Sequence, residues 1–376
     1  MKKEQPEFTL PSPRQELLLR ASLLKGDAAT DAWNSWKSGI DMETLDHESH
    51  QMLPILYRNL TVHGISDPLV STLKGTHRKT WYRNQVLLNS MKGIVKMFND
   101  SGIETMILKG AALTLCCYKD YGLRPMDDMD ILIPVRRAGE GIRLLENQGW
   151  FQAHPSRKVY EEGYYSCHNG CHFENREGHQ LDLHWHLLHE GCYATADDPF
   201  WAESLPVQLD ENLFTKRLCP THQLYHIIVH AMRRNPRPIL RWVADARVVL
   251  GQPGQIDWNR FLSEATSRRQ RLPVKRGLNY LQMLFEQPLP GLALKNINEI
   301  RVSRFEYYED RAQSKAPLGW NILRLTLARY IRVRKWLPLS KRFLWIFRYL
   351  QYEMEIKHLW QLPYHILVKG IQVMNR

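Results

Sequence analysis

Cysteine is scarce in this chain, with six in 376 residues, at positions 116, 117, 167, 171, 192 and 219. Disulfide scaffolds are short and cysteine-dense, so these thiols are expected to stay reduced in a chain long enough for two or three packed domains. Long apolar runs are missing too: no stretch of about 18 apolar residues occurs, the length a spanning helix needs. The first residues, Met1-Lys2-Lys3-Glu4-Gln5-Pro6, are polar, so a secretory signal is not expected either. A cytoplasmic protein, at most peripheral to a membrane, is the expectation. Acidic residues are in deficit, 39 Asp and Glu against 51 Lys and Arg, which leaves a net charge of +12. That sign favours polyanionic partners such as nucleotides, nucleic acid or an acidic membrane surface. Internal repeats and low-complexity segments are also lacking, and a hydrophobic fraction of 44% is that of a globular protein.

Residues 1–100 read as a helical region, in which Leu87, Met91, Ile94, Val95 and Phe98 form one apolar stripe at helical spacing. After the break at Asn99 to Gly102, Thr105 to Leu108 is strand-like and ends at Lys109-Gly110, and Ala111 to Tyr118 returns to helical composition. Ile131 to Ile133 reads as a second strand, stopped by Pro134, and Ala138 to Gln148 as a helix closed by Gly149. Strands are also expected around Tyr164 to Ser166 and from Gln180 to Trp185, on either side of the polar turn Asn175 to His179. A small mixed sheet over 101–190 follows. Residues 191–323 read as a C-terminal helical domain, with breaks at 235–238, 251–254 and 288–290. The last stretch, 324–376, is a helical tail rich in basic and aromatic residues, carrying eleven Lys and Arg against Glu353 and Glu355. The fold class is α+β, a small mixed sheet flanked by helical regions.

Two acidic segments stand out. Asp128 and Asp130 lie two residues apart at the mouth of an apolar strand, a spacing that puts both side chains on one face about 7 Å apart along the backbone. Two hard oxygen ligands on one face suit Mg²⁺, although acidic pairs at strand entrances are also common as solvated turn residues. From Gln180 to Leu187 the chain alternates: Leu181, Leu183, Trp185 and Leu187 on one face, Asp182, His184 and His186 on the other. If the two strands pair, three carboxylates meet, and their repulsion calls for cations.

With these residues in view, the chain resembles the uncharacterised nucleotidyltransferases of the DNA polymerase β-like superfamily. The likeness rests on Leu108-Lys109-Gly110-Ala111-Ala112-Leu113, on Arg124 through Leu132, and on Leu181-Asp182-Leu183-His184-Trp185. His226, His230 and Arg241-Trp242 to Asp245 also fit, so it covers most of the chain. The resemblance implies a small nucleotidyltransferase core that moves a nucleoside monophosphate from an NTP such as ATP to an acceptor, with pyrophosphate leaving. It makes Asp128, Asp130 and Asp182 the catalytic carboxylates and the ligands of Mg²⁺, or of Mn²⁺ in its place. Lys109, Gly110, Ala111 and Arg124 become the nucleotide-binding segment. One departure is Gly110-Ala111, where the superfamily at large has Gly-Ser or Gly-Gly. A catalytically silent binding scaffold and an RNA-modifying transferase are the alternatives.

Other constellations have plainer readings beside their chemical ones. Cys167, His168, Cys171 and His172 offer zinc ligands, but a hairpin turn at Asn169-Gly170 accounts for the segment without metal. Asp182, His184 and His186 could instead form a hydrolase metal site. His222, His226 and His230 share a helical face, as ligands or as packed imidazoles, and Arg241 with Asp245 has the spacing of an i, i+4 ion pair. In the tail, Arg332, Arg334, Lys335, Lys341, Arg342 and Arg348 interleave with Trp336, Phe343, Trp345, Phe347 and Tyr349. This mixture suits nucleic acid, an anionic membrane surface, or a helical pair that covers the catalytic region with its outer face solvated.

Overall fold

The computed structural model describes residues 11–153, 161–233, 239–252, 256–285, 300–313, 320–353, 356 and 358–364. The breaks expected at 235–238 and 288–290, part of that at 251–254, and the end of the basic tail lie outside these. The chain divides into two compact units, one built from residues up to 93 with 107–130 and 217–301, the other from 94–106, 131–216 and 302 onward.

The first unit is helical. Its opening helix, Pro13–Leu23, starts where the sequence directs: Ser12 and Gln15 exchange the two hydrogen bonds of a capping box ahead of Pro13. Leu18, Leu19 and Ala21 are buried, and this helix packs on Gly26–Lys37 and Leu53–Val62. Further along the chain, Pro220–Ala231 packs against Arg241–Leu250, Trp258–Ser267 and Arg271–Phe285. The Tyr225 ring meets Phe261 edge-on at 5.9 Å within that group.

The expected apolar stripe is real. Leu87, Met91, Ile94, Val95 and Phe98 are all buried along the helix Leu69–Asp100. A seven-stranded mixed sheet makes the fold α+β. Its strands are β1 Met106–Ile107, β2 Met129–Leu132, β3 Phe151–Gln152, β4 Gly170–Glu174, β5 Gln180–His184, β6 Leu205–Asp210 and β7 Leu213–Arg217, in the order β3-β4-β5-β2-β1-β7-β6. β3, β4 and β5 pair antiparallel, while β1 and β7 are parallel. Ala138–Asn147 is the expected helix; at Gly149 the chain turns through φ +83°, and the Trp150 N–H reaches back to the Leu145 carbonyl.

Three local expectations are corrected. Tyr164 and Tyr165 belong to a short helix, Glu162–Tyr165, and not to a strand. Tyr164 stacks on His168 at 4.0 Å and packs edge-on to Tyr352 at 5.6 Å, aromatic contacts that outweigh the β-propensity of the segment. Asn169-Gly170 is not a hairpin turn, because Gly170 opens β4 opposite His184; the reversal lies at Asn175 to His179, where the Asn175 side chain accepts from the His179 N–H. Strands β6 and β7 fall in a stretch assigned to helices. They are joined by only Glu211-Asn212, and β7 is held by pairing with the distant β1, information no local pattern carries.

The tail helices Trp320–Val333 and Leu339–Glu353 contribute to the core of the second unit. Val333, Trp345, Tyr349 and Tyr352 form a buried cluster with Cys167, and Tyr164 packs on it. Arg332 is buried in a two-pronged ion pair with Glu309. Of the tail residues singled out for polyanion or lipid contact, Arg332, Trp345 and Tyr349 therefore face inward.

Candidate functional site

Asp130 sits in the middle of β2, where all four residues are buried, and it is itself only 3% exposed. An ionised carboxylate there needs a cation, since taking it out of water costs several kcal/mol. Lys109 provides one, with Nζ 2.6 Å from Oδ1 of Asp130. Backbone geometry sets this up: the Leu108 N–H donates to the Asp130 carbonyl, and Lys109 then takes φ +41°, rare for a side-chain-bearing residue, to open the helix Lys109–Leu113. Asp128 lies in the turn before β2 and is partly exposed. Its neighbour Asp127 points to the surface, where Gln51 and Arg83 donate to it at 3.4 and 3.5 Å.

Arg124 is buried beneath this turn. Its Nε and Nη2 donate to the two oxygens of Asp245 at 2.9 and 3.0 Å, and the Tyr118 hydroxyl donates to the same carboxylate at 2.9 Å. Burial works to lower the Arg124 pKa and the Asp245 charge works to raise it; the carboxylate wins, and the guanidinium stays charged. Burial, followed by the neighbouring Asp245 charge, pushes the Tyr118 phenol well above its usual value, so it remains a donor. Gly110 and Ala111 are buried inside the short helix. A Cβ on Gly110 would come within 2.6 Å of Arg124 Nη1 and 2.8 Å of Met126 Cγ, so glycine is required for the close approach of Arg124.

The expected i, i+4 pair of Arg241 with Asp245 is not made. Arg241 instead donates to the Gln51 side-chain carbonyl at 2.9 Å and to the Pro125 carbonyl at 2.8 Å. Arg124 outcompetes it because a fork of two parallel N–H groups matches the carboxylate.

On β5 the expected alternation holds for Leu181 and Leu183, fully buried on either side of the part-exposed Asp182, and stops beyond the strand, where His186 is as buried as its neighbours Trp185 and Leu187. Asp182 stands directly across from His172 in the β4–β5 register, and its Oδ1 lies 2.5 Å from His172 Nδ1. Oxygen and ring-nitrogen ligand atoms of Asp182 and His184 come within 4.8 Å of each other, as i, i+2 neighbours on one face should. His186 does not share their site. β5 ends at His184, and both ring nitrogens of His186 are engaged, Nδ1 with Asp197 at 2.6 Å and Nε2 with the Tyr165 carbonyl at 3.0 Å. That removes it from the hydrolase-type set with Asp182 and His184.

No zinc cluster forms from Cys167, His168, Cys171 and His172 among the described residues. Burial pushes the Cys167 and Cys171 thiols up to about 12, and a thiol that resists ionisation is a poor zinc ligand.

In the sheet β5 is the strand next to β2. The donor chemistry of Asp128 and Asp130 fits a hard divalent cation, since carboxylate oxygens are the ligands Mg²⁺ selects. Two features escaped sequence reasoning: the Arg124–Asp245 fork, spanning 121 positions, and the placement of Gln51 against Arg241. Neither leaves a local signal.

Comparison with known proteins bears on this arrangement. Residues 47–286 match the family model described as "Uncharacterised nucleotidyltransferase", and the chain belongs to that family. The matched span includes every residue described above from Gln51 to Asp245. Among solved structures, the chain is similar to an antigenic nucleotidyltransferase-like protein from Paracoccidioides brasiliensis, at 14% identity and a TM-score of 0.36, over 58% of this chain and 94% of that one. No curated protein matches. Among the described residues, no helix is long and apolar enough to cross a membrane.

Proposed function

We propose that this protein transfers a nucleoside monophosphate from an NTP to an acceptor and releases pyrophosphate, in a Mg²⁺-dependent reaction for which Mn²⁺ can substitute. In the balanced step an acceptor oxygen bonds to the α-phosphorus, the bond to the α,β-bridging oxygen breaks, and the acceptor's proton passes to solvent. The observation that carries the reading is the buried Asp130 on β2, with Asp128 two residues before it. Asp128, Asp130 and Asp182 would hold the metal, which supplies Lewis-acid stabilisation of the charge developing on phosphate oxygens. Lys109, Gly110, Ala111 and Arg124 form the nucleotide-facing segment: Lys109 contributes charge, Gly110 and Ala111 backbone, and Arg124 holds the turn in place.

Incubating the protein with each α-labelled NTP and Mg²⁺ in a cell lysate tests this. Label should appear on one class of acceptor, whether RNA, protein, lipid or small molecule, and should vanish in Asp128→Asn/Asp130→Asn. Transfer undiminished in that double variant would overturn the assignment.

A second reading, a silent scaffold, draws on the Lys109–Asp130 pair, which already neutralises the buried carboxylate. Calorimetric titration separates the two: a scaffold shows no Mg²⁺-dependent gain in nucleotide affinity.

A further inference from the structure

The helix Leu339–Glu353 is apolar on two sides. Inward, Trp345, Tyr349 and Tyr352 are buried in the cluster with Cys167. Outward, Leu339, Phe343 and Phe347 repeat at four-residue spacing along one line, with Leu344 beside them. Leu339 is 78% and Phe343 73% exposed, and Leu344 and Phe347 are exposed as well. The Phe343 and Phe347 rings meet at 5.2 Å, so these side chains form a continuous ridge. Single apolar side chains on a surface call for no explanation, but a contiguous ridge of them marks a contact surface.

The ridge lies among cations. From Arg334 to Glu353 the sequence holds five basic residues, at 334, 335, 341, 342 and 348, against Glu353 alone, an excess of 5 − 1 = +4. Glu161, brought close by accepting from the Tyr352 hydroxyl at 2.8 Å, lowers that to 4 − 1 = +3. Glu309 is paired with Arg332, outside this count. Arg334, Lys335 and Arg348 are exposed, and Arg348 follows Leu344 by four residues at the edge of the ridge. Ahead of the helix, Trp336 is exposed, stacks on Tyr193 at 4.7 Å and carries Lys335 Nζ 4.8 Å from its ring centroid. Tryptophan beside a cation is the pairing favoured at the level of lipid headgroups.

We infer that this face docks on an anionic lipid bilayer. The helix lies along the surface, with Leu339, Phe343, Leu344 and Phe347 among the first methylenes of the acyl chains and Arg334, Lys335 and Arg348 on the anionic headgroups. With 15 residues it is too short to cross. A second copy of the chain does not fit, because a two-fold contact would set the ridge against itself and bring the cations of both copies together. Single-stranded RNA fits poorly too. Bases stack on flat rings in a basic groove, whereas this ridge is convex and presents Leu339 and Leu344, on which no base stacks. The contact requires nothing of the proposed nucleotidyl transfer and stands or falls apart from it.

Sedimentation of the full chain with vesicles tests this. The protein should pellet with mixed phosphatidylserine and phosphatidylcholine vesicles and not with phosphatidylcholine alone, and added salt should release it. Phe343→Ser/Phe347→Ser should weaken the partition about tenfold or more, since both rings lose their transfer out of water. Arg334→Gln/Lys335→Gln should weaken it roughly fivefold per charge removed. All four positions are exposed, so circular dichroism and the thermal midpoint should stay as in the wild type, which separates lost docking from lost folding. Equal sedimentation of the wild type and Phe343→Ser/Phe347→Ser overturns the inference. So does a wild-type protein that leaves anionic vesicles in the supernatant, in favour of nucleic acid if it binds single-stranded RNA instead. A dimer in analytical ultracentrifugation that the phenylalanine variant dissociates would also overturn it, and would assign the ridge to a second copy.

Discussion

Lys109 Nζ lies 2.6 Å from Oδ1 of Asp130, a cation from a residue at positive φ set against a carboxylate that is 97% buried. The pair holds in place the carboxylate proposed to bind metal. Lys109→Met should therefore destabilise the metal-free protein by about 2 kcal/mol, below the 3–5 kcal/mol of a fully buried pair because the lysine is 23% exposed. Urea denaturation in EDTA measures this, and added Mg²⁺ should restore more stability to the variant than to the wild type. Equal Mg²⁺ effects would mean that Asp130 binds no ion.

Asp182 is proposed to matter for chemistry more than for nucleotide affinity, as a ligand of the ion that would activate the acceptor. With Asp182→Asn, kcat should fall by orders of magnitude while nucleotide binding changes little. His172→Ala, which frees Asp182 from its cross-strand partner, should leave the fold intact and shift the metal dependence of transfer.

Breaking the Arg124–Asp245 fork should be severe. Asp245→Asn leaves a buried guanidinium with half its pairing and should cost roughly 3–5 kcal/mol, whereas Arg124→Met with Asp245→Leu should cost less than the two single changes summed. Thermal unfolding of the wild type, Arg124→Met, Asp245→Leu and the double variant gives the coupling. Simple additivity would show that the fork contributes nothing beyond its parts.

His230 has a lowered folded-state pKa, so below its ordinary value of 6.5 the unfolded chain takes a proton that the native state refuses. Stability attributable to His230 is thus fully present above about pH 6.5 and is lost as pH falls toward the depressed folded value. Its surroundings, Lys109, Arg233, His226 and Asp130, remain in a His230→Gln variant. Denaturation between pH 7.5 and about 5 should show a shallower fall in that variant than in the wild type; parallel curves would count against the depressed value.

The two faces of the last long helix separate by experiment. Trp345 is 6% exposed in the cluster with Cys167 and Tyr352, so Trp345→Ala should cost about 3–5 kcal/mol, and truncation before Arg324 should unfold the second unit. Phe343, Leu344 and Phe347 point outward, at 73%, 52% and 37% exposure. Phe343→Ser/Phe347→Ser should leave stability within about 0.5 kcal/mol of wild type. The same variant should reduce sedimentation with phosphatidylserine vesicles if the outer face meets lipid; a salt-steep affinity for single-stranded RNA, unaffected by those changes, would point to nucleic acid.

Much of the fold is legible in local sequence patterns. The stripe from Leu87 to Phe98, the alternation from Leu181 to Leu183, and the acidic spacing of Asp128 and Asp130 are local periodicities, and side chains repeating every 3.6 or 2 residues declare which face is buried. What tertiary structure decided lies between distant positions. Asp245 answers to Arg124 and not to Arg241 four residues away, because a guanidinium fork delivered from 121 positions upstream fits both oxygens. Tyr164 is helical because Tyr352 and His168 pack on its ring, and β7 is a strand because β1 pairs with it. The amino-acid order by itself determined which residues carry charge and which faces are apolar. Which charges end up buried together, and which helical face turns inward, followed from contacts across the fold, where desolvation makes partner choice strict.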